Sequence, residues 1–337
     1  MNASSPQLAD TLIDRFNRRI DYVRLSVTDR CDFRCVYCMT EDMKFLPRDQ
    51  VLSLEELHEI ARAFTELGVK KIRITGGEPM VRNNIMSLLE NLGRLQGLEE
   101  LLLTTNGAQL GKFAGQLKDA GVNRINISID SLRADRFERI SRVGKLDRVV
   151  AGIDAAIAAG FQRIRLNSVI MKGYNEDEVL DLVDFATDRG VDIAFIEEMP
   201  LGRPSDHERE ETLCTNDWVR DVISQRHALL PTASRTAGPS KYWQIEGQPN
   251  RIGFISPVSH NFCADCNRVR VTVEGRLLLC LGNEHSVDLR AVLRDPQKSF
   301  DDLKLAIVNA MDIKPERHYF YDVDYEQPVR LMNMTGG

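Results

Sequence analysis

The chain has 337 residues, 43% hydrophobic and 28% charged, and carries a net charge of −6. That is enough apolar material for one large domain or two smaller ones, and the acidity excludes a general affinity for nucleic acid or anionic membrane. No apolar run reaches the length of a membrane span, and "MNASSPQLADTLIDRFNRR" has polar and acidic residues where a secretory signal needs an apolar stretch, so a cytoplasmic location is expected.

The first expected strand, "YVRLSVT" (22–28), runs into "CDFRCVYC" (31–38). "LSLEELHEIARAFTELG" then reads as a helix, with Ser53 and Glu56 as a capping box and Gly68 as its stop. "KKIRITGG" (70–77) is the second strand and opens into "TGGEP" (75–79). "LEELLLTTNG" (98–107), "RINISID" (124–130), "RIRLNSVIM" (163–171) and "VDIAFIEEM" (191–199) follow, with helical patterns such as "EDEVLDLVDFATDRG" between strands. This alternation predicts an α/β fold with a parallel sheet. Six strand–helix units fall short of the eight of a closed barrel, so a partial, TIM-like (β/α)6 barrel is expected, with a doubly wound sheet as the alternative.

After Pro200 the texture changes. "LGRPSDHEREETLC" is polar and "PTASRTAGPS" loop-like; "KYWQIEG", "RIGFIS" and "VRVTVEGRLLLCL" read as short strands, the last a hairpin about Glu274-Gly275. The expected division is residues 1–200 and a smaller α+β region, 201–337, that closes the open side of the barrel.

Function in parallel α/β folds gathers at the carboxyl ends of strands. "CDFRCVYC", "TGGEP", "TTNG" (104–107), "SID" (128–130) and "EEMP" (197–200) each follow a strand, so they should meet at one mouth. Cytoplasmic cysteines in clusters read as metal ligands rather than disulfides. Cys31, Cys35 and Cys38 supply three thiolates where a closed site has four ligands, which leaves one iron of a cubane cluster open to a small molecule. Asp29 or Asp32 would close the set as a zinc knuckle instead. Cys263, Cys266 and Cys280 repeat the shortfall, with His260 as the residue that would complete a zinc site. Cys214 stands alone and reads as an incidental thiol. Arg268 and Arg270 share one face of a strand, and Arg24, Arg73 and Arg165 lie in the first, second and fifth strands, where they could ring one cavity. The guanidinium fork suits phosphate oxygens. In "GGEP" the glycines permit close backbone approach to a ligand, and Glu78 is an acceptor for an ammonium group.

The spacing CxxxCxxC, with the aromatic Tyr37 before the last cysteine, and "GGEP" (76–79) resemble the radical S-adenosylmethionine (SAM) superfamily, whose fold is a partial or full barrel. From about residue 14 to its end the chain resembles the GTP 3′,8-cyclase family of molybdenum cofactor biosynthesis. That likeness rests on both triplets, on Arg268 and Arg270 after Cys266, and on the tail Gly336-Gly337.

The resemblance implies a lyase with two 4Fe-4S clusters, one on Cys31, Cys35 and Cys38 for SAM and one on Cys263, Cys266 and Cys280 for substrate. It implies that Tyr37, Gly77, Glu78, Ser128 and Met199 meet SAM. It implies that Arg24, Arg73, Thr104 (Thr105 if the register slips), Arg165, Arg268, Val269 and Arg270 meet GTP, with Arg268, Arg270, Gly336 and Gly337 catalytic. Arg165 stands where the family usually has lysine, a change that keeps charge but not geometry. The partners implied are an electron donor and a downstream cyclic pyranopterin monophosphate synthase, with room for a homodimer. The rival readings are a peptide-modifying radical SAM enzyme with an auxiliary cluster and a zinc-binding interaction module.

Overall fold

The computed structural model describes residues 11–202, 209–233, 238–320 and 329–336. Six strands alternate with helices as expected: β1 (Tyr22–Ser26), α1 (Leu54–Glu66), β2 (Lys71–Thr75), α2 (Ile85–Gly93), β3 (Glu100–Thr105), α3 (Leu110–Asp119) and β4 (Val122–Ser128) come first. Then come α4 (Ala134–Ser141), α5 (Leu146–Ala158), β5 (Arg163–Val169), α6 (Val179–Asp188) and β6 (Asp192–Ile196). α1 begins on the expected box, Glu56 N donating to Ser53 Oγ at 3.1 Å and Ser53 N to Glu56 Oε2 at 2.7 Å. Its apolar stripe, Leu57, Ile60, Ala61 and Phe64, is fully buried on the sheet.

Six later strands extend this sheet on both flanks: β7 (Leu229–Pro231), β8 (Lys241–Ile245), β9 (Arg251–Ile255), β10 (Arg268–Val271), β11 (Arg276–Leu278) and β12 (Ser286–Asp288), while Leu12–Ile13 and Arg19–Ile20 pair in a separate ribbon. The order is β12-β11-β10-β1-β2-β3-β4-β5-β6-β9-β8-β7. β9 runs parallel to β6 and β10 parallel to β1, so eight parallel strands lie side by side. The end strands β12 and β7 do not pair, so the barrel stays open. The expected hairpin joins β10 and β11, with Gly275 at φ +84°.

Every parallel strand has two different faces. Val23 and Leu25, Ile72 and Ile74, Ile125 and Ile127, Ile164 and Leu166, Ile193 and Phe195, and Val269 and Val271 all pack in one apolar core. The alternate residues include Arg24, Arg73, Arg124, Asn126, Arg165, Asn167, Arg268 and Arg270, and these line a cavity. Side chains alternate along a strand, so one set serves stability and the other chemistry.

The segment 256–267 leaves the carboxyl end of β9 on one flank and enters the amino end of β10 on the other. It thus spans the gap that the sheet leaves open. Fully buried Glu197 anchors its start, accepting from Val258 N at 3.1 Å and Ser259 N at 2.9 Å. Among the described residues no helix is long and apolar enough to cross a membrane.

Candidate active site

Cys31, Cys35 and Cys38 follow β1 at the carboxyl end of the parallel strands. Cys263 and Cys266 precede β10, and Cys280 follows its antiparallel partner β11, so this second set lies at the amino end. The cavity between them has about 1420 Å³ of free space, its open mouth included, and all three cysteines of the second set line it.

All seven cysteines are free thiols. Burial, the largest influence, pushes Cys31 and Cys35 well up and Cys38 up to about 12. Thiols so placed surrender their protons to a metal rather than to water. Among the described residues no three His, Cys, Asp or Glu side chains converge on a single-ion site; a cubane sets its thiolates further apart than one ion does. The extra ligands that a zinc site would need are engaged elsewhere. Asp32 accepts from Asn106 Nδ2 at 2.6 Å and Gln109 Nε2 at 3.3 Å, Asp29 from Leu46 N at 2.7 Å, and His260 bonds Asp217 at 2.8 Å. The donor sets therefore fit two three-thiolate clusters better than closed zinc sites.

Around the first set, Tyr37 donates its hydroxyl to Asp130 at 2.8 Å, and burial pushes Asp130 up to about 6. Ser128 ends β4 half-buried, and half-buried Met199, just past β6, lines the cavity. Gly76 and Gly77 press on the backbone of the cysteine loop: Gly77 N donates to Thr28 O at 2.7 Å, and a Cβ at Gly77 would lie 2.3 Å from Arg30 O. Close approach is needed here, and the chain's own backbone is what approaches. Glu78, fully buried and pushed up to about 7 by burial, accepts from Met80 N at 3.0 Å, Thr105 Oγ1 at 2.8 Å and Asn106 N at 2.6 Å. Those three donors leave little of its carboxylate for an ammonium group.

The arginines meet as the strand pattern predicts. Arg270, Arg24 and Arg73 occupy one cross-strand row, Arg270 opposite Arg24 and Arg24 opposite Arg73. Arg73 donates to Thr104 Oγ1 at 3.3 Å, whereas Thr105 Oγ1 donates to Glu78 at 2.8 Å. Arg165 is held by Asn167 Oδ1 at 3.0 Å and Tyr242 at 2.9 Å. Val269 packs in the apolar core between these arginines and also borders the cavity. Burial first, then repulsion from Arg270, lowers Arg24, whose Nε has no hydrogen-bond partner among the described residues. Burial and Arg268 bring Arg270 down to about 10. Asp192 is the one carboxylate among the described lining residues, and Arg251 pairs with it, Nε to Oδ2 at 3.1 Å. Such a cavity is unfavourable empty and suited to a polyanion.

The tail reaches this cavity. Asn333 donates to Asp29 O at 3.0 Å, and Arg270 donates to the carbonyl of Gly336. Gly336 has φ +76°, and a Cβ there would lie 2.3 Å from Thr75 Cγ2. Gly337 lies outside the described residues. Several site residues escaped the sequence reading. Tyr22 accepts from Arg73 Nε at 2.5 Å; burial raises its phenol, but Arg73, Arg24 and Arg268 outweigh that and bring it down to about 8. Its position two before Arg24 was the available signal. Arg124, Arg163 and Arg251 also line the cavity. Lys314 and Arg18, beside the second cysteines, had no signal in the sequence.

Residues 25–186 match the model of the Radical SAM superfamily, and residues 191–320 that of Molybdenum Cofactor Synthesis C. The GTP 3′,8-cyclase of Ectopseudomonas mendocina is 59% identical over 326 residues, 97% of this chain and 98% of the relative. GTP 3′,8-cyclase 2 of Pseudomonas aeruginosa is 58% identical, again over 97% and 98%. Among solved structures, Streptococcus suis SuiB bound to S-adenosylmethionine superposes with a TM-score of 0.62 at 18% identity, covering 92% of this chain and 79% of that one.

Proposed function

We propose a division of labour among the residues of this cavity from the premise that the chain belongs to the GTP 3′,8-cyclase family of radical SAM enzymes. It is a lyase that converts GTP to (8S)-3′,8-cyclo-7,8-dihydroguanosine 5′-triphosphate, the first step of molybdenum cofactor biosynthesis, and cleaves SAM to 5′-deoxyadenosine and methionine. A 4Fe-4S cluster of the radical SAM kind, when bound, would supply the electron for that cleavage and so the hydrogen-abstracting chemistry at the ribose.

In our reading Cys31, Cys35 and Cys38 hold that cluster, and Tyr37, Gly77, Glu78, Ser128 and Met199 form the wall around SAM. Arg24, Arg73, Thr104 and Arg165 take the triphosphate. Cys263, Cys266 and Cys280 hold a second 4Fe-4S cluster, and Arg268, Val269 and Arg270 fix the nucleotide beside it. Gly336, whose carbonyl accepts from Arg270, and Gly337 act in catalysis with Arg268 and Arg270. Residues 1–200 then form the partial barrel with the first cluster, residues 201–337 carry the second cluster and the Gly-Gly tail, and GTP is contacted from both. An electron donor, a downstream cyclic pyranopterin monophosphate synthase and a homodimer complete the proposal. The observation that carries it is the row Arg270–Arg24–Arg73 between two incomplete cysteine sets, in a cavity whose one described carboxylate is already paired.

The test is anaerobic incubation of reconstituted protein with dithionite, SAM and either GTP or ATP, read by mass spectrometry. Deoxyadenosine with a cyclised guanine nucleotide, from GTP alone, is expected. Deoxyadenosine without nucleotide product would reject the GTP site and favour the peptide-modifying reading.

A further inference from the structure

Lys314 is 1% exposed, which is rare for lysine. Its ammonium has three protons and three acceptors: Leu279 O at 2.6 Å, Arg268 O at 3.0 Å and Cys266 Sγ at 3.7 Å. No carboxylate of the described residues pairs with it. Nearby Arg18 is the instructive contrast. It bonds Cys263 O at 2.8 Å, but its own charge is balanced by Asp14 at 2.6 Å. An uncompensated buried ammonium is costly, so the fold keeps one only where a negative charge is to be met. The charge it faces is the second cysteine set, and the two carbonyls it grips belong to β10 and to the residue before Cys280.

We infer that Lys314 is a positioning residue for the second cluster: its ammonium is the counter-charge to the Cys266 thiolate and fixes that cluster's reduction potential. The inference rests on the reading that Cys263, Cys266 and Cys280 carry a cluster. Iron–sulfur potentials respond to net charge and to hydrogen bonds on the sulfurs, and a cation beside a ligand thiolate favours the reduced, more negative state. Lys314 also ties the cysteine loop to Arg268, so substrate side chain and cluster keep one geometry.

The experiment uses the full chain, reconstituted anaerobically, as wild type and as Lys314→Gln. Glutamine keeps two N–H donors for the carbonyls but carries no charge. Iron and sulfide are counted, and the second cluster is titrated redox-wise by electron paramagnetic resonance in a background with the first three cysteines replaced by alanine. In that background Lys314→Gln is expected to move the second cluster to a more negative potential or to cost its iron, while Lys314→Gln with Cys31, Cys35 and Cys38 intact keeps the first cluster's iron. Full occupancy at an unchanged potential would overturn the inference. A second measurement needs no variant: chain labelled with nitrogen-15 lysine should show a nitrogen hyperfine coupling on the reduced second cluster, and its absence overturns the inference equally. Wild type holding only one cluster's worth of iron, lost when Cys31, Cys35 and Cys38 are replaced, is a separate outcome. That result rejects the second cluster itself, and the role of Lys314 with it.

Discussion

Arg24 enters the cavity from β1 with its Nε buried and unbonded among the described residues, beside Arg73, Arg268 and Arg270. Removing it should act in opposite directions on fold and ligand. Arg24→Met relieves like-charge repulsion, so the ligand-free protein should melt higher. It also removes a charge-assisted contact worth about 1.5–3 kcal/mol, so GTP affinity should fall roughly 10- to 100-fold by calorimetry. Affinity within twofold of wild type would place the triphosphate elsewhere. Tyr22 supplies a pH effect at the same spot. Its phenol, brought down to about 8, becomes a phenolate among the arginines as pH rises. A bound polyanion opposes that ionisation, so GTP affinity should decline as pH rises through about 8, and Tyr22→Phe should flatten the decline. Arg24 was legible in the sequence because a charged residue amid apolar alternation must face away from the core. Tyr22 was overlooked, its one signal being its place two before Arg24, because tyrosine is at home on either face of a strand.

Between elements, Glu78 is a clasp. It joins the end of β2 to the end of β3 by accepting from Thr105 and Asn106 N while also holding Met80 N. Alanine there would strand buried donors, and Glu78→Ala should lose about 1–3 kcal/mol per unmet donor in denaturant unfolding. The sequence showed a carboxylate beside two glycines but not these three donors, because a motif reveals a residue type, not its packing neighbours. The same limit shows in the strands. The first six form where alternation predicted, but "VDIAFIEEM" stops at Ile196 rather than 199, because Glu197 turns to Ser259 and Glu198 to Arg209. β7 and β12, three residues each, carry no pattern of their own and exist by borrowing a neighbour's hydrogen bonds. At the C-terminus the geometry is strict. Gly336→Ala would put a Cβ 2.3 Å from Thr75 Cγ2 at φ +76°. A left-handed alanine costs about 1–2 kcal/mol before any overlap, so product formation should fall about tenfold or more, with iron content unchanged.

For the whole molecule the informative fact is that the two cysteine sets sit at opposite ends of the parallel strands, with the arginine row between them. The sequence led us to one mouth, at the carboxyl ends, since every motif in the first half follows a strand. The second triplet precedes one, and nothing in "VRVTVEGRLLLCL" discloses that β10 pairs in parallel with a strand about 250 residues earlier. Opposite placement has a mechanistic consequence. Each set can be disabled while the other keeps its walls, because the first is framed by the loops after β1, β2 and β3 and the second by Arg18, Lys314 and β11. Cys35→Ser should therefore abolish SAM cleavage yet leave GTP binding within a few-fold of wild type. Cys266→Ala should still yield deoxyadenosine from SAM, and should lose the cyclised nucleotide because the substrate is no longer held beside the cavity's radical source. Paired assays of deoxyadenosine, cyclised product and GTP affinity on both variants separate the two ends. Were Cys266→Ala to form product at the wild-type rate, the second set would have no part in orienting GTP, and the arginine row alone would have to select which ribose carbon reacts.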